Sequence, residues 1–185
     1  DLLLKNSACW VQTYQRCNGL LLENLRVESR AYWNNDGIDL VDSRNVIVRN
    51  CTINSADDGI CLKSSYPPAF CDSILIENCT IRSSASALKF GTASKVGFRN
   101  VRVRNLKVFD TFRSAVRFGG GASPQRAHVP LDSLDGVPER PHDYPEFSMF
   151  GELPAWGFYV RHVEGLHLKN IRLECMAPDF RPAFV

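Results

Sequence analysis

Residues 46–54, V-I-V-R-N-C-T-I-N, contain the pattern that decides the fold of this chain. Apolar positions alternate on both sides of Asn50, which is the periodicity of a β-strand interrupted at one point. Four other segments repeat the pattern: L-L-L-E-N-L-R-V-E from Leu20, I-L-I-E-N-C-T-I-R from Ile74, V-R-V-R-N-L-K-V-F from Val101 and L-H-L-K-N-I-R-L-E from Leu166. The chain is therefore built from repeats.

The central Asn recurs at Asn24, Asn50, Asn78, Asn105 and Asn170, with intervals of 26, 28, 27 and 65 residues. A second short apolar segment lies earlier in each repeat and begins at Gly37, Gly59, Ala87, Ala115 and Gly157. Two or three short strands in each turn indicate a parallel β-solenoid, in which every turn buries its apolar face on the next. Leucine-rich patterns and amphipathic helices are missing. We predict an all-β, right-handed parallel β-helix of about six turns, with the Asn side chains stacked at a bend.

The repeat defines one domain over residues 1–185, which agrees with about 150 residues for a typical domain. Residues 119–156 break the repeat and are rich in Gly, Pro and charged residues. Such a long insertion is either one wall of a groove or a solvated spacer. Neither end of the chain has the polar cap of a finished solenoid, so we expect a segment of a longer one.

The composition excludes several classes of protein. The 22 Lys and Arg residues nearly balance the 20 Asp and Glu residues, so neither a nucleic acid nor a membrane surface is expected to bind by charge alone. No apolar run is long enough to span a membrane. The seven Cys residues include no C-x-x-C pair, and we expect Cys51 and Cys79 to be free thiols packed in the core. We expect a monomer.

Alignment of the repeats brings three carboxylates together. N-N-D-G-I-D-L at residues 34–40 lies over A-D-D-G-I-C-L at residues 56–62, which stacks Asp36 on Asp58 with Asp57 beside them. Like charges at such distances repel, so a structural role alone does not explain them. Crowded acids separate their pKa values and suit general acid and base catalysis. A Ca²⁺ site and simple D-G turns are the alternatives.

Strand alternation assigns the neighbouring residues to two faces. Ile38, Ile60, Leu88 and Val116 are predicted to form an inward row. The outward row then contains Asp39, Cys61, Lys89, Arg117 and Tyr159, with Lys63 and Arg161 two residues further along their strands. We expect this row to be an exposed basic edge beside the carboxylates. Such an edge is either merely solvated or a partner for a sugar carboxylate.

The stretch N-N-D-G-I-D-L-V-D-S-R-N-V-I-V-R-N-C-T-I, followed by A-D-D-G-I-C-L-K-S, resembles glycoside hydrolase family 28, the polygalacturonase-like right-handed parallel β-helices. The resemblance implies an enzyme that hydrolyses a polysaccharide or oligosaccharide with inversion and without a cofactor or metal. It makes Asp57 the general acid, while Asp36 and Asp58 position and deprotonate the attacking water. Carboxylates stacked at about 5 Å would by themselves suggest retention, but stacking does not fix where the carboxyl tips point. The resemblance also implies a secreted or periplasmic protein.

The chain departs from the family pattern at two positions. The His of the family's G-H-G motif is replaced by Ser86, and its R-I-K motif becomes Arg117-Phe118-Gly119, which keeps the Arg and loses the Lys. In polygalacturonases that Arg and Lys bind the uronate carboxylate, and Lys89 could replace the missing Lys. The candidate substrate-binding residues are Asn34, Lys63, Ser86, Lys89 and Arg117, and we expect an acidic sugar. A Ca²⁺-dependent lyase and a non-catalytic carbohydrate-binding solenoid remain as alternatives.

Overall fold

The structure is a computed structural model that describes residues 1–91, 94–111, 114–118, 137, 155–158, 160, 165, 167–169, 178–179 and 181–185. These residues form thirteen strands and no helix. The strands are β1 Leu2–Lys5, β2 Thr13–Gln15, β3 Asn18–Glu23, β4 Leu25–Ser29, β5 Ile38–Val41, β6 Arg44–Arg49, β7 Thr52–Ser55, β8 Ile60–Lys63, β9 Cys71–Ser83, β10 Ser86–Phe90, β11 Phe98–Val108, β12 Ser114–Phe118 and β13 His167–Lys169. Within the described residues, therefore, no helix is long and apolar enough to cross a membrane.

Two parallel sheets form the walls of the solenoid. The first has eight strands and contains β1, β3, β4, β6, β7, β9, β11 and β13. The second has five strands in the order β12-β10-β8-β5-β2. Each strand pairs with the equivalent strand of the neighbouring turn, so residues about one repeat apart lie directly opposite each other. The candidate site is positioned by the five-stranded sheet.

The repeated Asn residues form a continuous row at a bend in the eight-stranded sheet. Asn24, Asn50, Asn78 and Asn105 all have φ between 51° and 56°, which is the left-handed conformation that Asn tolerates better than most residues. The side chain of Asn78 donates to Asn50 Oδ1 at 3.3 Å, and that of Asn105 donates to Asn78 Oδ1 at 2.8 Å. The predicted Asn row is confirmed.

The core is a stack of aliphatic side chains from both sheets. Ile38 pairs with Ile60, Ile60 with Leu88 and Leu88 with Val116, as predicted, and all four side chains are buried. Each full burial of such a side chain stabilises the fold by about 1.5–3 kcal/mol. The thiols of Cys51 and Cys79 are free and buried beside this stack, which confirms that prediction too.

The described residues confirm the parallel β-helix but form about four turns rather than the predicted six. The remaining turns would need the later part of the chain. Asn170, Tyr159, Arg161 and most of the 119–156 insertion lie outside the described residues. The single domain over residues 1–185 stays a prediction.

Candidate active site

Two glycines allow consecutive turns to approach closely where the carboxylates lie. A Cβ atom on Gly37 would stand 2.6 Å from the carbonyl oxygen of Gly59, and one on Gly59 would stand 2.5 Å from that of Ala87. Neither distance is compatible with a side chain, so both positions need Gly because the turns touch, not because of a positive φ. The amide of Gly37 donates to Asp58 O at 2.8 Å. These contacts hold Asp36 and Asp58 one above the other.

Asp58 is a buried carboxylate with two partners. Its Oδ1 accepts the backbone amide of Ser86 at 3.1 Å, and its Oδ2 accepts Lys89 Nζ at 2.6 Å. Both Asp58 and Lys89 are at most 5% exposed. A buried charge is retained at such a place only when an opposite charge and hydrogen bonds balance it. The ion pair therefore holds Asp58 in one orientation.

Asp36 is buried beside Asp58, but its carboxyl group has fewer hydrogen-bond and ion-pair partners than that of Asp58. Its Oδ2 lies 3.5 Å from Lys63 Nζ, while its Oδ1 has no hydrogen-bond partner among the described residues. Burial, together with the carboxylates of Asp39, Asp58 and Asp57, raises the pKa of Asp36 to about 8, although Lys63 opposes the shift. Asp36 thus keeps a proton at neutral pH.

Lys63 connects Asp36 to a second buried acid, Asp39. Its Nζ donates to Asp39 Oδ1, and the two side chains are almost completely buried. Burial raises the pKa of Asp39 against the influence of Lys63. Burial lowers the pKa of the Lys63 ammonium group. The neighbouring Cys61, Asp39 and Asp36 raise this pKa by more, so the net shift is upward. Lys63 therefore stays charged at the centre of this network.

Asp57 differs from the other two acids because it is only half-buried. Its Oδ1 accepts the amide of Asp58 at 2.9 Å. Its backbone oxygen accepts the hydroxyl groups of Ser55 and Ser83 at 2.8 Å and 2.6 Å. The main chain of Asp57 is thus held by its own turn and by the next one, while the residue as a whole is only partly buried. Among the three acids it is the one best placed to meet a ligand.

The cluster is a poor match to a calcium site. Ligand atoms of Asp36, Asp58 and Cys61 lie within 4.8 Å of one another. Ca²⁺ prefers six to eight oxygen ligands, whereas here the third ligand is a thiol whose pKa is raised by burial. Lys63 and Lys89 already supply positive charge to these carboxylates. The arrangement fits acid and base chemistry better than Ca²⁺ binding.

The expectation of an exposed basic row is wrong for Asp39, Cys61, Lys63 and Lys89, the members whose side chains the structure describes. The predicted backbone register holds, with Asp39 opposite Cys61, Cys61 opposite Lys89 and Lys89 opposite Arg117. Asp39 and Cys61 are fully buried, however, and Lys89 and Lys63 are only 5% and 6% exposed. The physical reason is that both ammonium groups turn towards buried carboxylates and form charge-assisted contacts with them.

The other predicted substrate-binding residues occupy different environments. Ser86 is fully buried, and its backbone amide donates a hydrogen bond to Asp58 Oδ1. Asn34 is exposed, two residues before Asp36, and its side-chain amide lies 3.5 Å from Cys9 Sγ. Arg117 lies in β12, opposite Lys89 in the register. The structure thus brings Lys63, Ser86 and Lys89 to the carboxylates and leaves Asn34 at the surface.

Two contributors to this site were not among the predicted site residues. Asp39 is diagonal to Lys63 across the β5–β8 pair, and this relation could have been found by aligning the strands and considering diagonal as well as direct neighbours. The indole ring of Trp10 covers Lys63, with the ring centre 4.2 Å from Nζ. Trp10 comes from a preceding turn outside the repeated motif, so spacing gave no signal for it.

Comparisons with known proteins agree with this architecture. The model of the family described as glycosyl hydrolases family 28 matches residues 1–117, which is more than half of the chain. Among solved structures, the chain is similar to a polygalacturonase from Erwinia carotovora ssp. carotovora, with a TM-score of 0.58 and 23% sequence identity. The similarity covers 63% of this chain but only 30% of that one, and at this identity it shows a shared fold. Among curated proteins no match is found.

Proposed function

Since this chain belongs to glycosyl hydrolases family 28, we propose that it hydrolyses glycosidic bonds of a pectin-type or related acidic polysaccharide by inverting acid and base catalysis. The observation that carries the proposal is the grouping of Asp36, Asp57 and Asp58 on consecutive turns in three different environments. Glycoside hydrolysis needs one carboxyl group that donates a proton and another that activates water. Different environments can separate the pKa values of neighbouring carboxyl groups, so that one acts as the acid and another as the base.

Asp57 is the general acid in this proposal. It is the half-buried member of the group, so its carboxyl group can reach the leaving oxygen of a bound sugar. Asp58 is the base, because the ion pair with Lys89 and the amide of Ser86 hold its carboxylate in one orientation. Asp36, with its pKa raised to about 8, lies beside Asp58 and helps to orient the water.

The substrate-binding assignments follow from exposure and position. Asn34 lies at the surface next to Asp36, and Arg117 lies on the strand beyond Lys89, so we assign both to contacts with the substrate. An Arg side chain suits a sugar carboxylate because its guanidinium group binds carboxylates in a bidentate way. Lys63, Ser86 and Lys89 act on the substrate indirectly, through the carboxylates that they hold. We propose that the protein meets such a polysaccharide as a secreted or periplasmic monomer.

A reducing-end assay across a panel of pectic and other acidic polysaccharides tests the proposal. Asp57→Asn should lower the turnover of the cleaved substrate by about 10²–10⁴-fold, because the amide cannot deliver a proton. The melting temperature of the variant should match that of the wild type, because the side chain is nearly isosteric and half-buried. Proton NMR of the first product should show the inverted anomer.

Other outcomes identify the alternative functions. Wild-type turnover by Asp57→Asn would contradict the assigned general acid. Products that absorb as unsaturated uronates, and that disappear on chelation, would indicate a lyase. Oligosaccharide binding without new reducing ends would indicate a non-catalytic carbohydrate-binding solenoid.

A further inference from the structure

Three aromatic side chains in the two chain segments next to the candidate active site are unusually exposed. Trp10, Tyr32 and Trp33, which we call the aromatic rim, are 40%, 54% and 92% exposed. Large aromatic rings are normally buried in a fold or used at a contact, because their apolar surface is unfavourable in water. Several such rings near a group of polar and charged residues indicate a binding surface.

Trp10 links the rim directly to the candidate active site. One face of its ring covers Lys63 Nζ at 4.2 Å, and the same Nζ lies 3.5 Å from Asp36 Oδ2. Lys63 is 6% exposed, so the solvent-accessible part of Trp10 lies on the side away from it. Trp10 therefore separates the buried charges from solvent and presents an aromatic surface next to them.

Tyr32 and Trp33 are placed by the segment that leads into Asp36. This segment connects β4 to β5 and runs alongside the Trp10 segment. The amide of Val11 donates to Asp36 O at 2.8 Å, and the side chain of Asn35 donates to Cys9 O at 3.1 Å. Asn35 is fully buried, and these contacts anchor the segment two and three residues after Trp33. The exposed rings thus project from a fixed base.

We propose that the aromatic rim is a sugar-binding subsite, in which a pyranose ring of a long substrate chain stacks beyond the two sugars that flank the cleaved bond. A pyranose ring has an apolar face of C–H groups and a polar edge of hydroxyl groups. An exposed indole or phenol ring complements the apolar face, and the neighbouring Asn34 can donate or accept hydrogen bonds at the polar edge. The inference rests on the proposed function for the identity of the chain that is bound.

Trp33→Ala is the most direct test because this side chain is 92% exposed, so its loss should not change the melting temperature. On long oligogalacturonides, or on whichever polysaccharide of the panel is cleaved, KM should rise by about tenfold with kcat unchanged, as expected for the loss of one stacked ring. On the shortest substrate that is cleaved, KM should stay near the wild-type value. Trp33→Phe should restore most of the affinity.

Leu21→Ala is the matched control, since Leu21 is 50% exposed but lies on β3 in the other sheet. It should leave KM unchanged on every substrate. An unchanged KM for Trp33→Ala on long substrates, with normal cleavage by the wild type, would overturn the subsite and leave the proposed function standing.

Tryptophan fluorescence separates the two proposals when no cleavage occurs. If long oligogalacturonides quench the wild-type fluorescence, and Trp33→Ala weakens this binding by about tenfold, the subsite is supported although the proposed hydrolysis is not. If the wild type neither cleaves nor binds them, both proposals fail.

Discussion

Lys63 lies between two buried acids, and this position determines what its loss should do. Its ammonium group pairs with Asp39 and lies 3.5 Å from Asp36. Removing one partner of a buried ion pair leaves the other charge without compensation, which is usually worse than removing both. We therefore expect Lys63 to act as a positioning residue that keeps the carboxylates in place.

Lys63→Met should destabilise the fold by about 3–5 kcal/mol, because it leaves Asp39 buried and unpaired. The double variant Lys63→Met/Asp39→Asn should recover a large part of this loss. Denaturant unfolding of the wild type, both single variants and the double variant measures the coupling. A Lys63→Met protein with wild-type stability and only a raised KM would instead support direct binding of the substrate.

The bends at Asn50, Asn78 and Asn105 combine a left-handed backbone conformation with side-chain hydrogen bonds between turns. Asn78 lies within β9, where the first half of the strand pairs with β6 and the second half with β7. Its φ of 53° and its two side-chain hydrogen bonds serve different purposes. The first turns the chain from one part of the sheet to the next, and the second joins three turns.

Asn78→Ala should lower the free energy of unfolding by about 1–3 kcal/mol, since Ala tolerates the left-handed conformation poorly and makes neither hydrogen bond. Asn78→Gly should cost less, because Gly adopts this φ freely and loses only the hydrogen bonds. Chemical denaturation of both variants separates the two contributions. Equal losses would show that the backbone conformation contributes little.

Buried acids should also give the whole molecule an unusual dependence on pH. Because the pKa of Asp36 is raised to about 8, the folded protein keeps a proton that the unfolded chain loses near its ordinary pKa of about 3.9. The free energy of unfolding should therefore fall as the pH rises from about 4 to about 8, by about 1.4 kcal/mol per unit of pKa shift at most. Asp39, whose pKa is also raised, acts in the same direction.

Asp36→Asn tests this dependence, because an amide does not titrate. The stability of the variant should change less between these pH values than that of the wild type, and the variant should gain most at the alkaline end. Unfolding curves at several pH values measure the slope. Burial is the main cause of this raised pKa; Asp39, Asp58 and Asp57 raise it further, and Lys63 lowers it. Parallel pH profiles for both proteins would contradict a protonated Asp36.

Much of the architecture follows from the sequence because parallel stacking is a local rule. A repeat of 26 to 28 residues places equivalent residues opposite each other, so the pairing of Ile38 with Ile60 and of Leu88 with Val116 could be deduced by alignment. The same rule places Asp36 over Asp58. A one-dimensional repeat thus determines both the fold and the location of the candidate site.

The environment of each side chain was decided by the tertiary structure. Alternation along a strand predicts which way a residue points, but not what covers it, and Lys63 and Lys89 proved to be buried rather than exposed. Their ammonium groups lie against buried carboxylates, and the ring of Trp10, which comes from another turn, covers Lys63. Such contacts depend on three-dimensional distances between side chains and on the loss of water around them, and neither is encoded in a repeat interval.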